Sequence, residues 1–102
     1  MDNEFLIKAL AGFLDSELRL KVYPSKQRPK LLALFYLASK FEGGRMYSEP
    51  EVNEVICAWH TFGNWSMLRR ELFNKHFLGR ELDGSAYWLE EAQPTLEDFG
   101  LE

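Results

Sequence analysis

Residues 48–89 read SEPEVNEVICAWHTFGNWSMLRRELFNKHFLGRELDGSAYWL, and their order of caps, periods and turns decides the fold. Ser48-Glu49-Pro50-Glu51 is a helix start. The serine can cap the amide three residues on, Glu51 can reach back, and Pro50 sits in the first turn, where a missing N–H is harmless. Val52, Val55, Ile56 and Trp59 follow at i, i+3, i+4 and i+7, which predicts a helix over 49–60. Thr61-Phe62-Gly63-Asn64 is a turn with Asn64 as candidate cap, and another helix is expected over 65–76. In that helix Trp65, Leu68 and Leu72 face inward, while Ser66, Arg69, Arg70 and Phe73 lie on or towards the other side. Leu78–Leu82 and Ser85–Leu89 flank Asp83-Gly84, a pair that predicts a hairpin with positive φ at both turn residues.

Upstream, Lys26–Lys40 carries the stripe Leu31, Leu34, Phe35 and Ala38, with Pro29 in its opening turn and Gly43-Gly44 as its stop. The first core helix is therefore expected near 27–41. Met46 and Tyr47 leave room only for a very short strand. Leu18, Leu20 and Val22 alternate with polar neighbours, the period of a strand, and Pro24 ends it. Residues 3–15 read as an amphipathic helix through Leu6, Leu10, Phe13 and Leu14, with Asn3 as its cap. Downstream of the hairpin, residues 92–102 form an acidic tail, leaving one domain over 1–91 with its core at 24–89.

Helix, short strand, helix, turn, helix and hairpin is the order of a winged helix. The expected fold is thus α+β, mostly α: a helix-turn-helix plus a β-hairpin wing, with an extra N-terminal helix. The segments Lys30–Phe41, Tyr47–Ile56 and Leu68–Leu72, with Asp83-Gly84-Ser85 and Tyr87-Trp88, resemble an uncharacterised family of small bacterial domains of winged-helix type. The most specific motifs are Glu51-Val52-Asn53, Leu68-Arg69-Arg70-Glu71-Leu72 and Gly84…Tyr87-Trp88, within a resemblance spanning roughly 13–89. The family is known only as a domain of unknown function. Some members are fused to transcriptional regulators, which implies a role in transcription. Two departures stand out: the turn between His60 and Leu68 is longer here, and His76 occupies a position where the family usually has glycine.

Bulk properties narrow the function classes. The 102 residues are 46% hydrophobic and 27% charged, a folding composition without disulfides, since Cys57 is the single cysteine. No apolar run approaches the ~20 residues that span a bilayer, and the start Met1-Asp2-Asn3-Glu4 is acidic where a signal peptide is basic. A soluble cytoplasmic protein without membrane contact is expected. The net charge is −4, yet Pro24–Arg80 holds nine basic and five acidic residues, while 81–102 holds seven acids and no base. A mildly basic centre followed by an acidic end suits DNA contact by the centre alone.

No enzyme is expected. His60 and His76 stand sixteen residues apart, Cys57 with His60 at i+3 lacks an orienting partner, and no zinc spacing, phosphate loop or nucleophile elbow occurs. Neither metal nor cofactor is implied.

The helix-turn-helix order points to double-stranded DNA as the partner. Arg69 and Arg70, in the helix that would enter the major groove, are the base- or phosphate-contacting candidates, with Ser66 and Asn74 as polar contacts. Lys26, Arg28 and Lys30 at the first core helix, and Arg80 on the wing, suit phosphate contacts. Each has a structural alternative. Arg69 or Arg70 can pair with Glu42, Glu51 or Glu54, the others can be solvated, and Asn53 reads as a satisfied buried amide. Phe73 either closes against the wing or marks a partner surface. The apolar faces of the N-terminal helix predict a homodimer. The rival function is a winged-helix protein-interaction module that binds no DNA.

Overall fold

The computed structural model describes residues 2–101. Four helices and a two-stranded antiparallel hairpin make a mostly helical α+β architecture: α1 (Asn3–Ala9), α2 (Gln27–Ala38), α3 (Glu49–Ala58), α4 (Trp65–Asn74), β1 (Leu78–Arg80) and β2 (Tyr87–Leu89). Among the described residues no helix is long and apolar enough to cross a membrane.

α2 is the central rod. Seven of its twelve residues are buried, including Leu31, Leu34, Tyr36 and Leu37, so it is covered on more than one side. α1 packs on it through Leu6, α4 crosses it through Leu68 and Leu72, and α3 closes over α4 with Val52 and Ile56. Phe77, fully buried, meets Phe35 edge-on at 4.8 Å and joins the hairpin to this core.

α3 begins where its sequence says. Ser48 Oγ accepts from the Glu51 amide at 3.2 Å and Glu51 Oε1 accepts from the Ser48 amide at 2.8 Å, a complete capping box with Pro50 in the first turn. α4 ends equally legibly. His76 takes a left-handed φ of 72°, its amide reaches Phe73 O at 3.0 Å, and the Phe77 amide reaches Leu72 O at 2.9 Å, which is a Schellman closure.

Other expectations are corrected. The N-terminal helix stops at Ala9 and becomes a 3-10 turn over Ala11–Phe13, beside Gly12, and its cap is Asp2, not Asn3. The alternating segment 18–22 forms no strand, only isolated bridges from Leu20 to Leu14 and to His60. Asp15 accepts from the amides of Glu17 and Arg19, and Leu18 turns left-handed at φ 63°, so local bonds replace a ladder. α2 leaves the helix at Ser39, before the glycines, and Met46-Tyr47 amounts to one bridge between Tyr47 and Tyr87. Trp65, expected inward, is 43% exposed as the first residue of α4.

The hairpin is also looser than a two-residue turn. Glu81 N–H donates to Ala86 O at 2.9 Å, so the loop is Leu82–Ser85. Only Gly84 has positive φ (76°), while the Asp83 carboxylate accepts from the Ser85 amide at 2.9 Å. At Gly79 an added Cβ would fall 2.7 Å from Trp88 Cε2, so this strand glycine makes room for the indole.

The acidic end is not simply solvated. Leu96, Phe99 and Leu101 are half-buried against the core, and Phe99 stacks on Phe77 at 6.2 Å. Thr95 and Asp98 cap a 3-10 turn over Glu97–Phe99 reciprocally, and the Gln93 amide group donates to Phe77 O and Glu90 O.

Candidate nucleic-acid interface

The position of α4 follows from three contacts. Leu68 and Leu72, both fully buried, press one side into the core. Towards α3, Arg69 Nη1 donates to Asn53 Oδ1 at 2.6 Å and Nη2 lies 3.6 Å from Glu49 Oε2, with the side chain only 19% exposed. Towards the hairpin, the Arg80 guanidinium sits over the Phe73 ring, 4.6 Å from its centroid.

The turn that aims α4 is built on His60, 5% exposed. Its Nε2 accepts from the Asn64 amide at 3.1 Å, which leaves the proton on Nδ1 to be donated to Ile56 O at 2.7 Å. Both ring nitrogens are therefore committed, and neither serves the thiol of exposed Cys57. The Asn64 side chain makes no capping bond; the imidazole, expected only as half of a Cys-His pair, does the holding.

Arg69, Arg70, Phe73 and Asn74 of α4 line a cavity of about 350 Å³ with Glu49 of α3, and with Arg80 and Tyr87 of the hairpin. Glu49 is doubly engaged, since its Oε1 accepts from the Tyr87 hydroxyl at 3.4 Å while Oε2 faces Arg69. Arg70 and Asn74 are exposed, and among the described residues their side chains make no hydrogen bond or ion pair. They stand four residues apart on one side of the helix.

The structure thus brings together Arg69, Arg70, Asn74 and Arg80, while Ser66 lies half-buried in the first turn of α4. The other three basic candidates lie elsewhere. Lys26 is the exposed N-cap residue of α2, and Arg28 donates to Leu101 O at 3.3 Å. Lys30 lines a separate cavity with Glu71 and Lys75, on the opposite flank of α4, and with Phe99.

Of the two readings of the arginine pair, Arg69 has a structural partner and Arg70, among the described residues, has none. That partner set is Asn53 and Glu49; Glu42 and Glu51 instead lie 3.5 and 3.7 Å from Arg45. Glu49 and Tyr87 were not among the residues expected at the site. For Glu49 the signal was present: it precedes Asn53 by four residues, so both point to the same neighbour. Phe73 closes against the hairpin, under Arg80.

Fold and site define a small α+β domain, mostly helical, with a basic cavity between its last helix and its hairpin. Over residues 19–89 the chain matches the family described as "Uncharacterized protein conserved in bacteria (DUF2087)", and it belongs to that family. No curated protein and no solved structure matches the chain.

Proposed function

We propose that the domain is a winged helix that binds double-stranded DNA as a transcriptional regulator or a regulator's subunit, without enzymatic activity. In this reading α3 and α4 are the helix-turn-helix, α4 lies in the major groove, and β1–β2 is the wing. The observation that carries it is the exposed pair Arg70 and Asn74, whose side chains have no partner among the described residues, on a helix anchored by Arg69 and flanked by Arg80. An arginine already committed to α3 orients the helix; an uncommitted one is available to the duplex. Ser66, in the first turn, lies where recognition helices reach base edges. Lys26, Arg28 and Lys30 would touch phosphates only on a duplex extending past α2.

Phe5, 44% exposed on α1 while Leu6 and Leu10 are buried, supplies an apolar spot for a second copy, and a homodimer would present two α4 helices to two half-sites. Light scattering reads this: a dimer that Phe5→Ser dissociates supports it, and a wild-type monomer refutes it.

Anisotropy of a labelled mixed-sequence duplex at about 50 mM salt tests DNA binding. The account expects association that weakens as salt rises, and a loss of about tenfold in Arg70→Ala/Asn74→Ala. Absence of association at low salt would overturn it. The second reading is a protein-interaction module that binds no DNA. It is favoured by Leu82, fully exposed at the hairpin tip between Glu81 and Asp83, where acidic neighbours would repel a duplex.

A further inference from the structure

We propose that the cavity between α4 and the hairpin is a phosphate-binding site in which Arg70 and Arg80 grip a single phosphate group with Asn74 beside it. This rests on the DNA reading for the source of the phosphate, but the chemistry of the cavity stands without it.

The cavity is lined by three arginines and one glutamate. Glu49 is matched by Arg69 Nη2 at 3.6 Å and by the Tyr87 hydroxyl at 3.4 Å, and Arg69 Nη1 donates to Asn53. Two positive charges, Arg70 and Arg80, are left over, with no anionic partner for either among the described residues. Arg80 is also preorganised. Its guanidinium lies over the Phe73 ring, 4.6 Å from the centroid, a cation–π contact that holds the group at the cavity, so less side-chain freedom is lost when an anion arrives. Asn74, exposed one turn beyond Arg70, adds an amide donor at the same mouth.

A tetrahedral phosphate group, whose anionic oxygens point in different directions, satisfies two guanidinium groups and an amide at once. A flat base edge offers acceptors to one guanidinium only. The concave placement also favours phosphate, since base edges are read by a convex helix ridge deep in a groove. On this assignment Arg70 and Arg80 position a duplex without reading it, and sequence preference falls to the first turn of α4 around Ser66.

Two sources share this chemistry, a backbone phosphate of DNA and a small phosphate-bearing molecule, and two measurements separate them. The first titrates inorganic phosphate into the full chain, against chloride at equal ionic strength, following the arginine and asparagine side-chain resonances by NMR. Saturable shifts confined to Arg70, Asn74 and Arg80, and lost in Arg70→Gln, are expected; shifts that are absent, or spread over all basic side chains, overturn the site. Arg70 is exposed and without a side-chain partner among the described residues, so Arg70→Gln leaves the fold intact.

The second measures duplex affinity against salt for wild type, Arg70→Gln, Arg80→Gln and the double variant. If one phosphate is shared, the double variant lowers the slope of log affinity against log salt by about 0.9 in total, with the loss equal on every sequence. A loss of about 1.8, or a changed sequence preference in Arg70→Gln, overturns the shared grip. Phosphate binding at the cavity without any duplex binding would instead fell the DNA reading and assign a small phosphate-bearing ligand. Duplex binding without phosphate shifts would fell the cavity and leave the DNA reading standing.

Discussion

Arg69 and Asn53 are joined by a 2.6 Å hydrogen bond from guanidinium to side-chain carbonyl that ties α4 to α3. A charged donor on a half-buried neutral acceptor, with Glu49 at 3.6 Å balancing the charge, makes this a structural contact.

Asn53→Ala is therefore expected to cost about 1–2 kcal/mol in urea unfolding, and Arg69→Ala about as much or slightly more. The double variant should lose less than the sum of the two, because both remove one bond. Additive losses would show that the residues do not act together.

At His76, φ is 72°, a left-handed angle that a side chain adopts only at a cost. Replacing it with glycine, the residue expected there in the family resemblance, should raise the thermal midpoint. The gain is about 0.5–1 kcal/mol, since relief of strain exceeds the extra freedom glycine has when unfolded. A lowered midpoint would mean that the imidazole contributes a contact outweighing the strain.

Cutting the chain after Glu91 removes Leu96, Phe99 and Leu101 from the core surface, and with them the stack on Phe77. About 2–4 kcal/mol should be lost at roughly 1 kcal/mol per half-buried side chain. A truncated chain with an unchanged urea midpoint would show that this packing adds nothing.

Three carboxylates, Asp83 exposed and Asp15 and Glu51 half-buried, titrate below their ordinary values. The Arg19 backbone amide holds Asp15 below 3.8, the Ser48 amide holds Glu51 below 4.5, and the Ser85 hydroxyl, then its amide, hold Asp83 below 3.8. Each group binds its proton less readily folded than unfolded, so the stabilisation is fully present above the unfolded values. It is lost as pH falls through the folded ones. Stability followed by urea unfolding should be flat with respect to these groups above about pH 5 and decline below about pH 4. Glu51→Gln should flatten part of that decline; an unchanged acid limb in Glu51→Gln would refute the assignment.

What was legible in the sequence was what is local. The capping box at Ser48–Glu51 and the span of α4 depend on neighbours within a turn, and the residues state them directly. Asn53 as a satisfied amide was legible because an amide interrupting an apolar helix face demands a partner, although that partner was not. The Arg69–Glu49 pairing, the role of His60 and the docking of Phe99 on Phe77 depend on how distant segments meet, which period and composition do not encode. The segment 18–22 misled because its alternation is real while the strand it needs beside it does not form. The Thr95…Asp98 capping pair, with Leu96 and Phe99 between and beside it, was a local signal that a count of acids concealed.

The central claim, a duplex held by the outward side of α4, is tested most directly by selection from a random duplex pool at low salt. Wild type and Arg70→Ala/Asn74→Ala are run in parallel, with Arg69 left intact so that both proteins are folded. The account predicts that wild type enriches a shared motif and that the variant recovers about tenfold less of it. An unenriched wild-type pool, or equal recovery by both proteins, would contradict it.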